Sequence, residues 1–224
     1  MMKTKAFAGL GVCMIAAGLL LTACNTEPKP AKLSVQDAEA VIREILGQKA
    51  GTAALSGELT EITPEDVWEE TGYQLFKDGS SLDTYVVADG KAAVLGTGFG
   101  GYGVTSVMPF DVGGDGTQDL VYAYSYGSGI HRSVISWMDL QSMAEYPVQS
   151  AGEDGGFRTY DLILQQEEDS IGVYQIGNGQ DREATTKALL SYPAQKDVQS
   201  MKLTQDGTLV RKNDGLYYEA TGGD

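Results

Sequence analysis

The sequence predicts an α+β domain, mostly an antiparallel β-sheet meander with one or two N-terminal helices, and three observations lead there. Residues 34–48 repeat apolar side chains at helical spacing, with Val35, Ala38, Val41, Ile42, Ile45 and Leu46 on one face. After Gly72 the apolar runs shorten to strand length. They are separated by Asp78-Gly79, Asp89-Gly90, Asp206-Gly207 and Asp214-Gly215, dipeptides that suit hairpin turns. No blade-length repeat recurs, so the chain does not form a propeller by itself.

Each element has its own local reason. The first helix takes Ser34 as N-cap and Asp37 in its first turn, while Glu39 and Arg43 support its exposed face. A second helix is predicted from Thr63, with Thr63 as N-cap, Pro64 in the first position, Glu65 and Asp66 next, and Gly72 to end it. Strands are predicted over 73–77, 83–87, 92–95, 104–110, 120–126, 131–140, 157–165 and 171–176. A closing meander covers 198–204, 208–212 and 216–219. Residues 181–192 read equally as helix or strand before Pro193. In residues 96–103, GTGFGGYG, the glycines Gly96, Gly98 and Gly101 formally satisfy G-x-G-x-x-G. That fingerprint needs a following helix to hold a pyrophosphate, and 104–110 reads as strand, so the stretch is expected to be a turned loop beside the acidic loop described below.

The N-terminal stretch predicts export. Lys3 and Lys5 precede an uncharged run over residues 7–23, too short to span a bilayer comfortably. Leu21-Thr22-Ala23-Cys24 resembles the lipobox of bacterial lipoproteins, which implies cleavage before Cys24 and acyl chains on its sulfur and amine. The expected organisation is a lipoprotein signal peptide over 1–23, a lipid anchor and tether over 24–32, and one domain over 33–224. Residues 25–32, NTEPKPAK, suit a short extended spacer. The membrane is then a partner through Cys24, and the localisation is the cell envelope, facing away from the cytoplasm. Cys13 leaves with the signal and Cys24 is consumed by lipid, so no disulfide is expected. Losing Lys3 and Lys5 takes the net charge from −15 to −17, which argues against nucleic acid as a partner.

Residues 111–120, DVGGDGTQDL, gather Asp111, Asp115 and Asp119 on one short loop. Crowded carboxylates repel, and a hard divalent cation such as Ca2+ would neutralise them. Turn chemistry is the alternative, since Gly113, Gly114, Asp115 and Gly116 favour a tight hairpin. The loop resembles the calcium loops of FG-GAP/VCBS-type repeats, with pattern D-x-[DN]-x-D-G-x-x-D-L. The resemblance implies Asp111, Asp115 and Asp119 as side-chain ligands and the Thr117 carbonyl as a backbone ligand. Gly113 stands where that family places Asp or Asn, which leaves one ligand missing.

Phe99, Tyr102, Ser128, His131 and Arg132, on two glycine-bounded loops, form the candidate binding face for a surface protein or glycan. Arg132 is also expected to pair with a loop carboxylate. His131, the only histidine, would be a general base if Ser128 or Ser133 were a nucleophile, yet no G-x-S-x-G elbow surrounds either serine, and a structural role is expected. The functional expectation is a non-catalytic cell-surface lipoprotein binding module with a calcium-stabilised acidic loop. The alternative is an exported hydrolase using His131 or the loop-bound ion.

Overall fold

The computed structural model describes residues 31–47, 55–88, 90–96, 100–130, 132–150, 161–176, 203–213 and 215–221. The signal peptide, Cys24, most of the tether, Phe99, His131 and the ambiguous stretch 181–192 lie outside the described residues.

Helix α1 spans Val35–Leu46, and Ser34 caps it by accepting the Asp37 N–H. It buries Ala38, Ile42 and Leu46. Helix α2, Glu65–Thr71, starts one residue later than expected and is capped by Pro64 without a side-chain hydrogen bond. Thr63 is drawn away from the capping role, because its Oγ1 accepts the Leu75 N–H at 2.9 Å and donates to Glu61 at 3.1 Å.

Strands β1 (Leu59–Glu61), β2 (Gln74–Asp78), β3 (Thr84–Ala88) and β4 (Lys91–Leu95) form a first sheet in chain order. The central sheet is β5 (Gly103–Phe110), β6 (Asp119–Tyr126), β7 (Arg132–Asp139) and β8 (Ala144–Pro147), again in chain order. The outer sheet comprises β9 (Gln149–Ser150), β10 (Leu162–Gln166), β11 (Ile171–Ile176), β12 (Leu203–Lys212) and β13 (Gly215–Ala220), ordered β10-β11-β12-β13-β9. Among the described strands every pairing is antiparallel except β13 with β9.

Three apolar clusters show how these layers stack. Ala38, Ile42 and Leu46 of α1 cover Leu59, Phe76, Tyr85 and Val87 on one face of the first sheet. Its other face, through Leu75, Val86 and Leu95, meets Val107, Leu120, Tyr122 and Met138 of the central sheet, with Val67 of α2 joining the contact. The opposite face of the central sheet, through Met108, Val121, Ala123 and Ile135, meets Leu162, Leu164, Val173 and Leu209 of the outer sheet. Alternate residues of β6 therefore point into two different cores, which is why nearly the whole strand is buried.

The α+β expectation is corrected by this arrangement. Strands hold 54% of the described residues and helices 13%, and the fold is sandwich-like, with three sheets stacked face to face. The helices were legible in sequence, but α1 covers only one outer face and α2 buries only Val67, so sheet-on-sheet contact supplies most of the core. Asp206-Gly207 is not a turn either. It lies inside β12, where the β11 register jumps from Gly207 to Gln205 and leaves Asp206 bulged.

Candidate functional site

The acidic loop joins β5 to β6, and the pair Phe110 with Asp119 closes it. Asp111 organises the turn. Its Oδ1 accepts the N–H groups of Gly114 at 2.6 Å and Asp115 at 3.1 Å, and its Oδ2 accepts that of Gly116 at 2.9 Å. Asp115 Oδ1 accepts the Thr117 N–H at 2.8 Å. Desolvation works against ionisation of Asp111, yet the Gly116, Gly114 and Asp115 N–H donors and the Arg211 charge hold its carboxyl below the ordinary value. Two of the three acids thus do turn chemistry, and the loop closes through its own hydrogen bonds.

Asp119 is different. It is only 8% exposed and accepts one N–H, from Val112 at 3.3 Å. Burial pushes its carboxyl up to about 6; the Val112 N–H opposes the shift, and the charges of Asp139, Asp115 and Asp111 add to it. Asp139, at the end of β7, is a member of this acidic group that was not singled out from the sequence. It accepts from Gln141 N at 2.7 Å, Ser142 N at 3.2 Å and Ser142 Oγ at 2.8 Å. Desolvation opposes ionisation there, but those donors and the Lys91 charge hold its carboxyl low.

Arg211 is the second residue sequence reasoning missed. Its Nη1 donates to the Asp111 carbonyl at 3.0 Å and lies 4.0 Å from Asp111 Oδ2. The expected partner, Arg132, sits opposite Tyr126 at the far end of β6. Eight residues of strand separate the two ends, roughly 23 Å at the rise of an extended chain. The glycine-rich loop is likewise not beside the acidic loop, because β5 runs the length of the sheet between them.

As arranged, the acids make no ready cage. Among the described residues no group of three or more His, Cys, Asp or Glu is placed to hold a metal ion. Asp111 already serves three N–H donors, and Thr117 takes part through its N–H and through Oγ1, which accepts from Gln141 Nε2 at 3.4 Å.

The other end of the central sheet gathers the candidate binding loops. A parallel bridge joins Gly100 to Gly127, which brings the Tyr102 segment against the hairpin carrying Ser128 and Ile130. Ser128 is exposed, Arg132 is exposed, Tyr102 is half-buried, and Ile130 is 72% exposed. Lys77 of β2 reaches this end. It is 4% exposed, and its Nζ donates to the carbonyls of Tyr102 at 3.0 Å and Val104 at 2.9 Å. Ser133, offered above as a nucleophile, is fully buried opposite Ser125.

Comparison with known proteins finds no matching family model, no matching curated protein and no matching solved structure.

Proposed function

We propose that the chain is a non-catalytic binding module of a bacterial cell envelope, held at the membrane by lipid on Cys24, whose acidic hairpin takes up Ca2+ as a counter-charge. The observation that carries the ion is the burial of Asp119 under the charges of Asp139, Asp115 and Asp111. A divalent cation near these acids offsets repulsion that the protein otherwise carries at neutral pH. The ion does not build the loop, whose own N–H groups already close it. With Gly113 in place of a ligand, affinity is expected to be weak. The binding face lies at the opposite end of the central sheet, around Tyr102, Ser128 and Arg132, with Phe99 and His131 in the same stretches of chain. What supports a non-catalytic reading is the burial of Ser133 and the commitment of the loop carboxylates to backbone donors.

The test has two arms. Labelled palmitate should be incorporated into the wild-type protein in a bacterial host and not into Cys24→Ala. Titrating Cys24→Ala protein with Ca2+ should raise the melting temperature, and Asp115→Ala combined with Asp119→Ala should abolish that rise. A melting temperature indifferent to millimolar Ca2+ would remove the ion from the proposal.

A further inference from the structure

A hollow of about 730 Å3 opens where two sheet edges meet. β5 is an edge of the central sheet and β10 an edge of the outer sheet. They are tied at one point by side chains, with Leu164 N donating to Ser106 Oγ at 3.0 Å and Thr105 Oγ1 donating to the Leu162 carbonyl at 2.9 Å. Beyond that tie, the hollow lies between Met108–Phe110 and Ile163–Gln166, and α2 forms another wall with Asp66 and Glu70. A second hollow of about 420 Å3 adjoins the first at Glu70 and Gln118 and differs from it in carrying Lys91, whose Nζ donates to the Gln141 carbonyl at 3.1 Å.

The chemistry of the larger hollow, a groove beside α2, is one-sided. The larger hollow is lined by the carboxylates Asp66, Glu70 and Asp111, by glutamine amides, and by an apolar floor, with no lysine, arginine or histidine among its lining residues. Amides that both donate and accept match the alternating N–H and C=O groups of an extended backbone. The carboxylates match positive side chains, and the floor matches apolar ones. A sugar would need an open aromatic platform. Among the described residues the large hydrophobics that stand exposed are Val35, Ile130 and Tyr146, none of them in the groove, while Phe110, which lines it, is half-buried and packs against the core between the central and outer sheets. An anionic membrane surface would be repelled by the same carboxylates.

We propose that this groove binds an extended peptide segment carrying lysine or arginine residues alternating with apolar ones. Alternation fits because successive side chains of an extended strand point to opposite sides, one toward the acidic wall and one toward the floor. The site is separate from the glycine-loop face and from lipid anchoring, and it does not need the loop ion, since Asp66 and Glu70 belong to α2.

The experiment uses two fluorescein-labelled, end-capped hexapeptides, one alternating lysine and valine and one alternating glutamate and valine, added to Cys24→Ala protein without Ca2+. Fluorescence anisotropy should show saturable binding of the basic peptide and none of the acidic one, weakening as salt rises. Asp66→Asn with Glu70→Gln should weaken binding by at least about fivefold while the melting temperature stays within a few degrees, since both side chains are exposed. Glu44→Gln with Glu58→Gln removes the same charge elsewhere on the surface and should leave affinity unchanged. Equal weakening by the two double variants would reduce the effect to net charge and overturn the proposal. So would the absence of saturable binding.

Discussion

Ser106 Oγ accepts the Leu164 N–H at 3.0 Å and lies 3.4 Å from the Leu164 carbonyl, so one buried hydroxyl completes the backbone of a strand in another sheet. The β5 register shifts between Val104 and Ser106, and the bulged residue, Thr105, makes a second tie by donating to the Leu162 carbonyl. Replacing Ser106 by Ala leaves a buried N–H without its acceptor. The expected loss is about 1–3 kcal/mol, read as a lower urea midpoint at unchanged slope. A Ser106→Ala protein with a wild-type midpoint would mean that this tie does not hold the central and outer sheets together.

The entry to β5 makes a sharper demand. Gly103 has φ +67, and a Cβ placed on it would lie 2.1 Å from the Leu82 carbonyl oxygen. Gly116 also has a positive φ, +85, but its Cβ would meet nothing within 4 Å. Gly116→Ala should therefore cost only the backbone strain, about 1–2 kcal/mol. Gly103→Ala adds a backbone clash that no rotamer relieves, so its loss of stability should exceed that of Gly116→Ala by at least about 1 kcal/mol. Thermal melts of the two variants side by side decide it.

Local signals were legible in the sequence and stacking was not. Ser34, Gly72 and the turn at Asp78-Gly79 announced themselves through capping and turn chemistry, and the structure places elements within a residue or so of them. The third sheet was invisible because apolar residues at both alternating sets of β6, Leu120 and Tyr122 against Val121 and Ala123, say that both faces are buried without saying against what. Asp139 had a recoverable signal. The β6–β7 register pairs Tyr126 with Arg132 and Leu120 with Met138, and one further step sets Asp119 opposite Asp139. Arg211 had none, since it reaches Asp111 across 100 residues of chain.

Lys77 should give the protein an unusual alkaline response. Burial pushes its amine down from 10.5 to about 8. Between those values the unfolded chain binds the extra proton and the folded chain does not, so stability rises with pH through that window. The neutral amine still has two protons to donate, and Tyr102 and Val104 supply two acceptors. Wild-type stability from urea unfolding should increase between pH 8 and 9.5, and Lys77→Met should flatten that rise. Above about pH 10 Tyr85 enters with the opposite sign, because burial and then the Asp83 and Asp78 charges push its phenol up to about 12. A rise of equal slope in both proteins would place its origin elsewhere.

Asp119 provides the acid-side counterpart and the most direct probe of the loop. Its folded carboxyl is raised from 3.8 to about 6, so between those values the folded state holds a proton that the unfolded state has lost. Stability from this group is therefore complete below about pH 4 and is lost as pH rises through 6. Asp119→Asn keeps an oxygen to accept the Val112 N–H and removes the charge that faces Asp139, Asp115 and Asp111. At pH 7 without added ion, the variant should be more stable than wild type by on the order of 2 kcal/mol, and its stability should change less between pH 4 and 6. Adding millimolar Ca2+ at pH 7 should then raise the wild-type melting temperature and narrow the gap, because the ion offsets the same repulsion that the substitution removes. If Asp119→Asn is instead the less stable protein at pH 7, the charge is stabilising where it sits, and the loop needs no counter-ion.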